Sequence, residues 1–182
     1  MLRLFLLFLG LLVGVFLYFR VESQPPAPEL PIFLRQDTIA LAHHTSIKLS
    51  VLSKKTPSMA QQEQLRHDYA DLWAHLNHLY ATNDVEAGKE YYTEEWFRQL
   101  CKHYEGEIES RVSRTDSLHH LQIMNWSRDG LVCAAVDSNA ILTYSYPDRS
   151  TRRVRTSLAL VLLFQGDHWR IDAMRVLDEK EI

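Results

Sequence analysis

The chain has 182 residues, with 20 Lys and Arg against 23 Asp and Glu, a formal net charge of −3. Once an apolar leader and a spacer are set aside, that length holds a single core and leaves no room for a second domain. The acidic balance argues against a nucleic-acid binder, which needs a basic footprint.

From Leu4 to Phe19 the chain carries no charge and is rich in Leu, Phe and Val, with Arg3 and Arg20 at its ends. As a helix at ~1.5 Å per residue this run falls somewhat short of a ~30 Å hydrocarbon core, and flanking arginines can snorkel to make up part of the difference. Residues 1–20 are therefore expected to form a single-pass membrane anchor through residues 4–19. The alternative is a signal segment cleaved near Ser23 and Gln24, giving a secreted or periplasmic protein. Either way the domain is expected outside the cytoplasm; a cytoplasmic domain is a third arrangement, because the flanking charge bias is weak. Residues 21–57 open as a proline-rich linker with Pro25, Pro26, Pro28 and Pro31, a composition that favours extended backbone. Further on, Asp37 can cap a short helix through Ile39 and Leu41, whereas Ile47, Leu49 and Val51 alternate with polar residues as a half-buried strand does. That stretch stays unassigned.

The folded domain is expected over 58–182. Ser58 and Gln61 have capping-box spacing, and Leu65, Tyr69, Leu72, Trp73, Leu76, Leu79 and Tyr80 follow at helical period. Asn83 and Asp84 end that helix and can start a short element. Thr93 then precedes Glu94 and Glu95, an N-cap followed by acids at the positive end of a helix dipole, and Trp96, Phe97, Leu100 and Tyr104 form its apolar stripe. After Gly106 the period shifts to two, with strands expected over 118–126, 131–146, 153–165 and 168–177. Short turns of Ser127 to Gly130, Pro147 to Arg149, and Gly166 with Asp167 join them into an antiparallel meander. The class is α+β, with N-terminal helices packed on an antiparallel sheet.

The run YATNDVEAGKEYYTEEWFRQL (80–100) and the terminal FQGDHWRIDAMRVL (164–177) resemble the nuclear-transport-factor-like and SnoaL-like superfamily. The resemblance implies a sheet curled around helices into a cone over 58–177. Membrane-tethered assembly proteins of secretion systems and the mitochondrial import-anchor domain share that layout, and the short N-terminal anchor resembles that of the former; the resemblance fixes no activity.

Strand parity decides which side chains enter such a cone. In 131–146 the even positions Val132, Ala134, Val136, Ala140, Leu142, Tyr144 and Tyr146 read as core, which puts Cys133, Asp137 and Asn139 outside. In 153–165 the core set is Val154, Leu158, Leu160, Leu162 and Phe164, opposite Arg153, Arg155 and Val161. In the last strand Trp169, Ile171 and Ala173 read as core, opposite Arg170 and Asp172. With no strand acid pointing inward, proton-transfer chemistry lacks its base. A ligand in the cone would meet Tyr69, Trp73, Tyr144 and Trp169. The outer residues Asp137, Arg153, Arg155, Val161, Arg170 and Asp172 make a mixed-sign patch suited to a homodimer or another envelope protein.

His75 and His78 on the helix, and His119 with His120, lack the further carboxylate or thiol that would complete a metal site and read as surface residues. No metal or cofactor is expected. Outward parity at Cys133 also weighs against a bridge to Cys101. The first expectation is a non-catalytic, membrane-anchored interaction module, and the second is binding or processing of a small apolar molecule in the cone.

Overall fold

The computed structural model describes residues 37–104 and 112–182, so the apolar run and the proline-rich linker lie outside the described residues. The compact unit begins at Asp37 rather than at Ser58. Helix α1 (Thr38–Leu41) is far too short to persist alone. It is held by Asp37, whose Oδ1 accepts the Ile39 and Ala40 amides while Oδ2 accepts from His75 Nε2 at 2.7 Å and Tyr91 OH at 2.9 Å. Both elements left open between residues 37 and 51 therefore exist, since strand β1 (Ser46–Val51) follows α1 directly. His75, expected on the surface, is buried at 3 % exposure.

Helix α2 (Met59–Thr82) starts with the reciprocal Ser58–Gln61 capping box and stops at Asn83, whose φ of 58° ends the helical path. It buries Leu65, Tyr69, Leu72, Trp73, Leu76 and Leu79, each contributing about 1.5–3 kcal/mol through apolar area removed from water. A 3-10 helix (Glu86–Tyr91) follows, with the Ala87 amide held by Asp84. Helix α3 (Glu94–His103) is capped by Thr93 as expected.

Strands β2 (Ser113–Trp126), β3 (Val132–Ser145), β4 (Thr151–Gln165) and β5 (His168–Glu181) form the expected antiparallel meander. The β4–β5 turn uses Gly166 at φ 72°, a left-handed conformation that costs glycine little. The sheet is nevertheless mixed rather than wholly antiparallel, because β1 pairs in parallel with β2 at the edge. The helices between those two strands supply the long crossover that a parallel neighbour requires. Helix α2 lies against β1, β2 and β5. Among the described residues no helix is long and apolar enough to cross a membrane.

Bulges break the simple parity in three strands. The β3–β4 register shifts between Asp137 and Ala140, so odd residues point inward before it and even ones after it. Cys133, Ala135 and Asp137 are buried alongside Ala140 and Leu142. Val132 is exposed, and Ala134 and Val136 are only half-buried. In β2 the shifts around Leu118 bring Asp116 and His119 to the same side although they are three residues apart. In β5 a shift opposite Val161 and Leu162 exposes Ala173 and turns Met174 toward the core. Trp169 and Ile171 are buried as expected.

Candidate functional site

The first constellation is a sealed polar network inside the unit. His119, expected on the surface, is fully buried between two carboxylates. Its Nε2 lies 2.9 Å from Asp116 Oδ2 and its Nδ1 lies 2.5 Å from Asp137 Oδ2. With a carboxyl oxygen facing each ring nitrogen, the arrangement favours the imidazolium, which donates from both. Burial works against that charge, but the hydrogen bonds to Asp116 and Asp137 outweigh it and raise the His119 pKa. Burial likewise opposes ionisation of Asp116, and hydrogen bonds from His119 and His43 overcome it to hold the carboxyl well below the usual carboxylate range.

Asp137 is thus no part of an outer face. Its Oδ2 also accepts from Tyr69 OH at 2.9 Å, while Oδ1 accepts the His120 amide at 3.0 Å. Burial, and then the Asp137 charge, push the Tyr69 hydroxyl well above its ordinary pKa. Trp73 packs over the His119 ring, centroids 4.6 Å apart, and Tyr69 meets it edge-on at 5.7 Å. Asp116 Oδ1 completes the set by accepting from His43 Nε2 at 2.7 Å and from Asn77 Nδ2. The acids and histidine are fully engaged and closed to solvent, so they have the chemistry of an acid–base site without room for a substrate.

The network reaches the surface through Asn77. Its Oδ1 accepts from Arg114 Nε at 2.9 Å, and Arg114 Nη2 donates to the Leu76 carbonyl at 2.9 Å. The guanidinium carbon lies 4.9 Å from the Tyr80 ring centroid and 5.4 Å from that of Trp73. This half-buried cation borders a half-open cavity of about 390 Å³, lined by α2 through Leu76 and Leu79, by α3 through Trp96, Gln99, Leu100 and His103, by Tyr104 just after it, and by Met174 of β5.

The residues expected at a ligand site are dispersed. Tyr69 and Trp73 belong to the sealed network, and Tyr144 packs against Tyr80. Trp169 lines a separate opening of about 230 Å³ beside Gln61, Gln64 and Phe164. Of the expected partner patch, Arg153 and Arg155 are exposed and Val161 is half-buried. Arg170 is paired with Glu90 at 3.4 Å, and Asp172 accepts from Thr93 Oγ1 at 2.9 Å, so both are tied within the chain. Cys101 is exposed and Cys133 buried, both as free thiols. Burial pushes the Cys133 thiol up to about 12. Among the described residues no three His, Cys, Asp or Glu side chains are placed to hold a metal ion.

No family model matches the chain, no curated protein matches it, and no solved structure matches it. The geometry of Arg114 and its surroundings therefore carries the functional argument. Sequence reasoning missed Arg114, Asp116 and His119 as a set, since only the bulges in β2 align them. A signal was present in Asp137-Ser138-Asn139, three residues that favour turns in the middle of an apolar strand.

Proposed function

We propose that this chain is a membrane-tethered, non-catalytic binding domain that takes a small molecule in the Arg114 cavity. The observation that carries the reading is a guanidinium fixed by Asn77 and the Leu76 carbonyl at the edge of a half-open cavity with a largely apolar lining. That combination of concavity, apolar walls and one oriented polar group characterises small-molecule sites. Catalysis is disfavoured because the acid–base groups lie behind Asn77 with their atoms engaged.

The cone-like, nuclear-transport-factor-like reading is supported by the contacts of α2. Helix α2 packs against β2 and against both edge strands, β1 and β5, as a helix laid across one face of such a sheet does. Residues 4–19 would supply the tether, and membrane association that resists high salt would agree with an apolar anchor; release by salt would count against it.

The direct test is a ligand-observed NMR screen of soluble fragments against the full-length protein and Gln99→Trp. Gln99 is exposed on α3, so the indole fills the cavity mouth without disturbing the core. Fragments that bind the parent should weaken at least about tenfold in the variant, which is ~1.4 kcal/mol. Equal binding to both proteins would place the site elsewhere.

Docking of a second copy is the second reading. What speaks for it is half-buried Val161 on β4; the exposed Arg153 and Arg155 beside it, with Asp137 buried and Asp172 tied to Thr93, no longer make the mixed-sign patch and weigh against a self-complementary contact.

A further inference from the structure

The lining of the Arg114 cavity has a one-sided chemistry. Among the described residues its polar members are Arg114, Gln99, His103, Tyr104 and Trp96, every one able to donate a hydrogen bond and none a carboxylate. Arg114 itself uses Nε and Nη2 on neutral acceptors, the Asn77 amide oxygen and the Leu76 carbonyl. Among the described residues Nη1 makes no hydrogen bond and the guanidinium forms no ion pair. The aromatic rings of Trp73 and Tyr80 offset part of its charge but present no hydrogen-bond acceptor. A second unfilled donor is the Trp96 indole Nε1, buried and without an acceptor among the described residues. Buried donors are satisfied in folded proteins as a rule, and a half-buried guanidinium with a free edge is shaped for a planar carboxylate.

We infer that the ligand of this cavity is a monocarboxylate with an apolar body: its carboxylate on the free edge of Arg114, and its apolar part against Leu76, Leu79, Leu100 and Met174. The inference rests on the binding reading above and narrows it. Among the described residues Arg114 is the one Lys or Arg that lines the cavity, which matches a single negative charge better than a phosphate dianion. The carboxylate would bear on a cation already braced through Asn77 to Asp116, so binding needs no rearrangement of the network behind it.

The test compares 4-phenylbutyrate with 4-phenylbutan-1-ol, which share a body and differ in the head group, by isothermal titration into the full-length protein in mild detergent. The acid should bind roughly tenfold or more tightly than the alcohol, the worth of one charge-assisted contact. Arg114→Gln should remove that preference while leaving the alcohol's affinity in place, and Gln99→Trp should weaken both compounds. Equal affinities in the parent, with both compounds lost in Gln99→Trp, would overturn the carboxylate assignment and leave the cavity as a neutral binding site. A preference that survives in a folded Arg114→Gln protein would overturn the role of Arg114. Failure of both compounds to bind at millimolar concentration would remove the carboxylate assignment and the binding reading together. Should Arg114→Gln not fold, the parent's acid-to-alcohol ratio and the response of the acid to Gln99→Trp still decide the matter.

Discussion

Replacing Asp137 by Asn tests the sealed network most directly, because the substitution keeps shape and volume and removes one charge. Both carboxylate oxygens face donors: Oδ2 meets His119 Nδ1 and Tyr69 OH, and Oδ1 meets the backbone amides of His120 and Asn139. Whichever way the new amide turns, its NH₂ group confronts a donor and strands it. Breaking a buried charge pair by removing one partner costs about 3–5 kcal/mol, and each stranded donor adds on the order of 1–3 kcal/mol before relaxation. Asp137→Asn should therefore lower stability by at least ~3 kcal/mol, and at ~2–4 °C per kcal/mol the melting point should drop by at least about 6 °C. Equilibrium urea unfolding, followed by emission of the buried Trp73, Trp126 and Trp169, reads the difference. An exposed strand residue, which is what the parity of the sequence makes of Asp137, would change stability by only about 0.5 kcal/mol. A change below ~1 kcal/mol would refute the network as described.

The network also imposes a pH window. Because the folded pKa of His119 is raised above its ordinary 6.5, its contribution is complete below that value and is lost as pH climbs through the raised one. Stability should fall as pH climbs above about 6.5, and the slope should vanish in His119→Gln; a flat profile in the parent would contradict the imidazolium assignment. On the acid side Asp116, held low, contributes fully above its ordinary 3.8 and progressively less as pH drops further, while Asp68, raised by burial, acts in the opposite sense. For the second reading of function, Val161→Glu should dissociate any dimer formed through the outer face of β4, as read by sedimentation. A parent protein that is monomeric at high concentration would exclude that dimer.

What was legible in the sequence was local. Ser58 with Gln61, Thr93 with its following acids, and the Gly166–Asp167 turn act within a few residues, and each appears where its chemistry put it. The pairing of β1 was hidden because a parallel neighbour is set by a crossover of helices, and the six residues of β1 carry no mark of their partner. The candidate site was hidden for a sharper reason. A single inserted residue reverses inside and outside, so one bulge at Ser138 and Asn139 turned Asp137 and Cys133 from surface residues into core ones. Trp169 and the even residues of β4 were read correctly because the register around them keeps those side chains on the core side. Arg114 gave no signal, since its neighbours Asn77, Trp73 and Tyr80 lie on another element.

The buried Asp116–His119–Asp137 chain has a further consequence for how β2 and β3 find each other. From Val132 to Val136 the pairing of β3 with β4 is apolar throughout, opposite residues such as Ala135 with Leu160 and Cys133 with Leu162. A slide of two residues along such a seam keeps apolar groups facing apolar groups and changes little. Between β2 and β3 the same slide would carry His119 away from Asp137 and leave an imidazolium and a carboxylate in the interior without each other. The network thus acts as an alignment key: mispaired chains are penalised by several kcal/mol, and the one register that closes all its contacts is singled out from neighbours that hydrophobic burial alone would barely distinguish.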